Sequence, residues 1–258
     1  MTGKEIRQAR FFSRGRPVVV AVDHGQTFGP IEGLVDVKEA VSRVTEADGV
    51  LMTPFIAPSM GELFTTTSGP SLILRLNWTT ALCIPWKYAE SHTRPVMEPD
   101  EALSAGADVV LANLTLQAGD EKVDAENVRV FSEIARRKER AGVPLIGEVI
   151  PLIPISETER LHRHVKEVVR IAWELGADMI KTYYTGERFR EVTDGVPIPV
   201  FALGGEKMKT EDDALKMAEN AVRRGAAGVV FGRNVIQAAD PSSFLRRLKS
   251  VVKDDGGK

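Results

Sequence analysis

At 258 residues, with 43% hydrophobic and 27% charged side chains, 22 glycines and 14 prolines, the chain has the balance of an ordinary soluble globular protein, which excludes a collagen-like or disordered one. A formal charge of −2 argues against a nucleic-acid-binding face spread over the molecule, and the single cysteine, Cys83, excludes an intrachain disulfide. No apolar run reaches the roughly 18 residues of a membrane span, and the basic residues 1–16 carry no signal-peptide apolar stretch, so a soluble, cytoplasmic protein is expected.

The first predicted strand, residues 17–23, is Pro-Val-Val-Val-Ala-Val-Asp and leads into Asp23-His24-Gly25. A helical pattern over 35–46 follows, then a phrase that recurs along the chain: a helix end, a small-residue break and a short apolar run. It appears as Glu46-Ala-Asp-Gly-Val-Leu-Met-Thr53, Gly106-Ala-Asp-Val-Val-Leu-Ala-Asn113, Gly176-Ala-Asp-Met-Ile-Lys-Thr182 and Gly225-Ala-Ala-Gly-Val-Val-Phe-Gly232. In three copies glycine stands where a helix would end in a left-handed residue, and the apolar run suits a parallel strand buried on both faces. Strands over 71–77, 143–150 and 199–205 complete a series of eight. Helices are predicted over 125–141, 157–175, 212–224 and 241–253, the second with apolar residues at three- and four-residue steps, the last opened by an Asp240 N-cap and Pro241 at N1.

Eight strands alternating with helices, in a length near the roughly 250 residues typical of the fold, predict α/β architecture: a single (β/α)8 TIM barrel formed by one domain over 1–258. An open doubly wound sheet is the rival, but no G-x-G-x-x-G follows the first strand. Residues 77–99, with Trp78, Cys83, Trp86, Tyr88 and His92, fit no plain repeat; they read as a cover over the substrate, a subunit contact or an irregular loop.

Active sites of such barrels lie at the C-terminal strand ends. Lys181 stands inside an apolar strand, where a lysine is costly without a purpose or a partner. A lysine nucleophile must be neutral, which asks for a fall from about 10.4 to roughly 7–8, or roughly 4 kcal/mol of desolvation. A neutral amine there attacks a ketone to form a Schiff base. The other reading is an ion pair with Glu148 or Asp23, and the spacing leaves both open. Asp23 and Glu148 are the carboxylates placed to hold such a lysine or to move its protons. Gly204-Gly205 and Gly232-Arg233, at the ends of the last two strands, suit a phosphate site: glycines admit backbone N–H groups to an anion and arginine adds a forked cation. His92, His162 and His164 lack metal-ligand spacing and read as solvated, so neither a metal nor another cofactor is expected.

With these motifs in place, the sequence resembles the archaeal-type class I aldolases, which include fructose-bisphosphate aldolase, aminodideoxyheptulosonate synthase and an autoinducer-2 thiolase. The motifs are Ala21-Val-Asp-His-Gly25 with Gly29-Pro30, Ile180-Lys-Thr-Tyr-Tyr-Thr-Gly186, Gly204-Gly205 and Gly232-Arg-Asn-Val-Ile-Gln237, in order over most of the chain. The resemblance implies a Schiff-base lysine at Lys181 and an acid–base aspartate at Asp23. It implies substrate contacts along Asp23, His24, Gly25, Gln26 and Thr27 and at Tyr183, and phosphate contacts at Gly204, Gly205, Gly232 and Arg233. A phosphorylated small molecule is then the partner, within a homo-oligomer such as a decamer. One place departs from the pattern: the family's fifth strand usually ends in Tyr-Pro-Arg, with tyrosine as proton donor, and here reads Ile150-Pro151-Leu152. Glu148, Tyr183 or a water held by Asp23 are the open substitutes. The functions to weigh are a class I aldolase acting on a phosphorylated ketose such as fructose 1,6-bisphosphate, a transferase or thiolase of the same fold, and a noncatalytic binder of phosphorylated metabolites.

Overall fold

Eight parallel strands close into a barrel in the computed structural model, which describes residues 2–66 and 68–254. They are β1 (Val18–Ala21), β2 (Gly49–Met52), β3 (Ser71–Arg75), β4 (Val109–Leu114), β5 (Leu145–Val149), β6 (Met179–Tyr183), β7 (Val200–Leu203) and β8 (Gly228–Phe231). Each pairs with its neighbours in the chain, and β8 returns to β1, so no edge is left. The expected TIM barrel is therefore the fold.

Side chains alternate across each strand. Val18 and Val20 pack outward in the cluster shared with the helices, while Val19 and Ala21 pack inward with Leu51, Ile73, Leu111, Ile146, Met179, Phe201 and Val230. The same alternation carries Asp23, Arg75, Glu148, Lys181 and Tyr183 to the inward face, above that apolar filling. Below it, the helix Gly3–Phe11 closes the barrel floor with Phe11, which is 3% exposed and has its ring centroid 5.9 Å from that of Phe201. Burying that ring contributes roughly 1.5–3 kcal/mol. The sequence reading assigned no element there, because the helix is short and its apolar contacts are all distant in the chain.

The recurring phrase has a local cause. Gly106, Gly176 and Gly225 adopt φ of +94°, +104° and +95°, and the residues around them close the preceding helices, as in Ala177 N donating to Ala172 O at 3.0 Å. The aspartate of the phrase then binds the strand before it. Asp48 accepts from Val18 N at 2.9 Å, Asp108 from Leu72 N at 2.9 Å and Asp178 from Leu145 N at 2.8 Å. Each repeat thus stitches the lower rim of one strand to the next.

The outer helices Glu121–Ala141, Thr158–Glu174, Glu211–Arg223 and Pro241–Lys253 agree with the predicted ones to within a few residues, and Asp240 caps the last by accepting from Ser243 N at 3.0 Å. The helix expected over 35–46 is shorter, Val37–Ser42, because the chain turns after Arg43 to bring Asp48 under β1. Between β2 and β3 lie only short turns, Ala57–Met60 and Gly61–Phe64. Residues 77–99 contain an antiparallel ribbon, Asn77–Thr79 against Thr93–Pro95, pinned to the barrel: Asn77 Nδ2 donates to Asn113 O at 2.9 Å and Asn113 N returns a bond to Asn77 Oδ1 at 2.8 Å. No helix among the described residues is long and apolar enough to cross a membrane.

Candidate active site

The register of β5 against β6 sets Glu148 beside Lys181, on the same inward face. Lys181 Nζ donates to Glu148 Oε1 at 2.6 Å. Arg75, rising from β3, donates through Nη1 and Nη2 to both Glu148 oxygens at 2.7 and 2.8 Å, and through Nε to Asp23 Oδ2 at 2.6 Å. The result is a continuous chain, Asp23–Arg75–Glu148–Lys181, with two positive and two negative members, none more than 7% exposed. Charges this buried survive only when paired and hydrogen-bonded, and here the arginine fork meets that need for both carboxylates. Burial alone raises the Glu148 carboxyl, but Arg75, then Lys181, outweighs it and holds it well below the carboxylate range. Asp23 is likewise raised by burial and more strongly lowered by Arg75 and Lys181.

Of the two readings left open for Lys181, the structure displays the ion pair with Glu148, at the floor of a cavity of about 480 Å³. An amine in such a pair is also poised to hand its proton to the carboxylate it touches. The sequence reading missed Arg75. The signal was present, since an arginine inside the apolar run Ser-Leu-Ile-Leu-Arg-Leu is as anomalous as Lys181.

The late loops form one wall of the cavity. Gly204, Gly205, Gly232 and Arg233 all line it, as do Asp23, His24, Thr27 and Tyr183. A Cβ at Gly232 would lie 2.2 Å from His24 Cε1 and 3.1 Å from Ala21 O, so only glycine lets the imidazole rest there. Burial pushes His24 down to about 4, against the pull of Asp23, so the ring is neutral at physiological pH; its Nδ1 is buried without a partner. Arg233 stands over the Phe28 ring at 5.9 Å from the centroid, has no carboxylate partner, and keeps a buried, unpartnered Nε. It is a cation with hydrogen-bonding capacity unspent. Asn234, a second residue the sequence reading passed over as a contributor, ties the two loops together: Nδ2 donates to Gly204 O at 2.9 Å and Glu206 O at 3.0 Å, and Oδ1 accepts from Met208 N at 2.8 Å. Tyr183 lies two residues beyond Lys181 on the same face; burial raises its phenol against the opposing charge of Arg233, so it remains a proton donor.

Other expected residues fall elsewhere. Gly25 and Gln26 are outside the cavity lining; Gln26 instead takes Trp78 Nε1–H on its carbonyl at 3.2 Å, which secures the ribbon. His162 and His164 are not solvated: they are 3% and 4% exposed. Placed about 200° apart on one helix, they face opposite flanks, His162 meeting Thr185 Oγ1 at 2.9 Å and His164 meeting Gln117 Oε1 at 3.1 Å. A helix with neighbours on both sides buries a wider sector than its apolar stripe suggests. His92 is solvated as expected and meets Glu90 Oε2 at 2.6 Å. Ile150 and Leu152 line the cavity where the family pattern has a phenol and an arginine.

Residues 17–238 match the family model described as DeoC/LacD family aldolase. The chain belongs to that family. It is 34% identical to an uncharacterised aldolase of Saccharolobus solfataricus, over 99% of this chain and 96% of that protein. It is 33% identical to a 2-amino-3,7-dideoxy-D-threo-hept-6-ulosonate synthase of Halobacterium salinarum, over 98% of this chain and 92% of that protein. Among solved structures it superposes on a Schiff-base-forming fructose-1,6-bisphosphate aldolase with a TM-score of 0.82 and 30% identity, over 96% of this chain and 98% of that one. The family member is thus an enzyme of the aldolase kind, which sets aside the noncatalytic reading.

Proposed function

We propose that this aldolase works through a Schiff base on Lys181, making or breaking a carbon–carbon bond in a phosphorylated ketose. The observation that carries this reading is a buried amine, hydrogen-bonded to a carboxylate, in one cavity with an unpaired arginine. Lys181 passes a proton to Glu148, and the freed nitrogen lone pair adds to the ketone carbon. Glu148, whose proton affinity is kept low by Arg75, returns that proton to the carbinolamine oxygen as water leaves, and the iminium remains. In cleavage, Asp23 takes the proton of the hydroxyl on the β-carbon. The α–β carbon bond breaks, its electron pair enters the iminium to form an enamine, and an aldehyde departs. A proton on the α-carbon and one water then release the second product and restore the amine. Tyr183 supplies the phenolic hydroxyl that Ile150 does not. Arg233 and the loop amides hold the phosphate, and neutral His24 hydrogen-bonds a substrate hydroxyl.

Borohydride reduction in the presence of dihydroxyacetone phosphate is expected to leave a stable adduct that peptide mass mapping locates on Lys181 and that Lys181→Met lacks. A wild-type protein that gives no adduct refutes the reading. A transferase of the heptulosonate-synthase type is the second reading, favoured by the Halobacterium salinarum relative and by the altered end of β5. Its product would form only when a second carbonyl substrate is supplied.

A further inference from the structure

The barrel is a ring of eight, so strands four positions apart stand diametrically opposed. The loops that follow β7 and β8 therefore face whatever follows β3 to β5. That facing wall is built from Leu82 and Ile84 of the ribbon segment and from Ile150, Leu152, Ile153 and Ile155 beyond β5, all lining the same cavity. Ile84, Leu152 and Ile155 are 67%, 44% and 55% exposed at the rim, apolar surface that no packing within the chain requires.

The charges point the same way. The cations lining the cavity are Arg75, Lys181 and Arg233, and the carboxylates Asp23, Glu148 and Glu206 equal them in number. Arg75 spends three N–H groups on Asp23 and Glu148, and Lys181 is bonded to Glu148. Arg233 alone among these cations is left for an anion, and it stands on the opposite side from the apolar wall. A second phosphate at the far end of a ligand would meet isoleucine and leucine, losing its hydration with no cation in return.

We infer that the substrate carries a single phosphate, held at the β7–β8 loops, and that its far end, or the aldehyde partner that becomes that end, is uncharged and apolar. Ile84 and Ile155 are the specificity-determining contacts for that end. The inference rests on the aldolase reading for the place of the reacting carbon, midway at Lys181, and excludes a ketose phosphorylated at both ends as the preferred substrate.

Three unreactive probes test it by titration calorimetry on the full chain: methyl phosphate, hexyl phosphate and hexane-1,6-diyl bisphosphate. Hexyl phosphate is expected to bind at least ten-fold tighter than either of the others, the tail gaining from the apolar wall and the second phosphate losing to it. Ile155→Arg, a rim substitution, is expected to tighten the bisphosphate at least ten-fold and to reverse the preference. Wild-type binding of the bisphosphate as tight as or tighter than that of hexyl phosphate overturns the inference, as does equal binding of the hexyl and methyl esters. The expected binding pattern without a borohydride adduct on Lys181 would uphold it and remove only the Schiff-base reading.

Discussion

Replacing Arg75 by methionine removes one of two cations from the buried chain and leaves its carboxylates unequally placed. Glu148 keeps Lys181 at 2.6 Å, whereas Asp23 loses its 2.6 Å bond and has only neutral His24 nearby, at 3.9 Å. Breaking a buried pair by removing one member costs about 3–5 kcal/mol, since the remaining charge stays desolvated. In a chain of this size each kcal/mol moves Tm by about 2–4 °C, so a fall of roughly 10 °C is expected. The pH dependence identifies the cause. In the wild type both carboxylates titrate below their unfolded values of about 3.9 and 4.3, so their stabilisation is complete above those values and is lost as pH falls through the folded ones. In Arg75→Met, burial acts on Asp23 without Arg75 and lifts its carboxyl above the unfolded value. The folded variant then holds a proton that the unfolded chain has released, and it loses stability as pH rises from about 4 towards neutrality. Urea unfolding of both proteins at pH 4.0, 5.5 and 7.5 measures the difference. A deficit that is independent of pH, or below about 1 kcal/mol at pH 7.5, refutes the charge-chain account.

Three other outcomes follow from the cavity wall. His24, held to about 4 against an unfolded value near 6.5, makes the fold lose stability as pH falls from about 6.5 to 4; His24→Gln should flatten that slope by up to about 3 kcal/mol, and NMR titration showing the wild-type ring charging near pH 6.5 would contradict it. Gly232→Ala places a methyl against the His24 ring and should raise KM for a phosphorylated ligand at least ten-fold, with a Tm loss of only a few degrees; an unchanged KM would show that the close approach has no role. Asn234→Ala releases the clamp between the two glycine loops and should weaken inorganic phosphate binding about five-fold while kcat changes less than two-fold; a loss confined to kcat would place Asn234 in the chemistry.

What could be read from the chain alone was what local periodicity and local anomaly record. Period-two apolar runs marked all eight strands, and glycine after a charged helix end marked three of the joints between them, so the barrel followed from patterns spanning a few residues. Lys181, Asp23 and Glu148 were visible because charge within or at the end of an apolar strand is costly, and the same test applied to Arg75 would have found it. The partners were not visible. Arg75 reaches residues 52 and 73 positions away in the chain, and no local pattern encodes such a pairing; only closure of the barrel brings β1, β3, β5 and β6 to one axis. The same holds for His162 and His164, solvated by helical position and buried by the elements on either flank, and for the apolar wall, whose residues come from two loops that meet only across the mouth. Sequence determined the scaffold and which side chains had to be accounted for; tertiary structure decided which charges neutralise one another and which cation remains for a ligand, because those energies depend on distance and burial rather than on order along the chain.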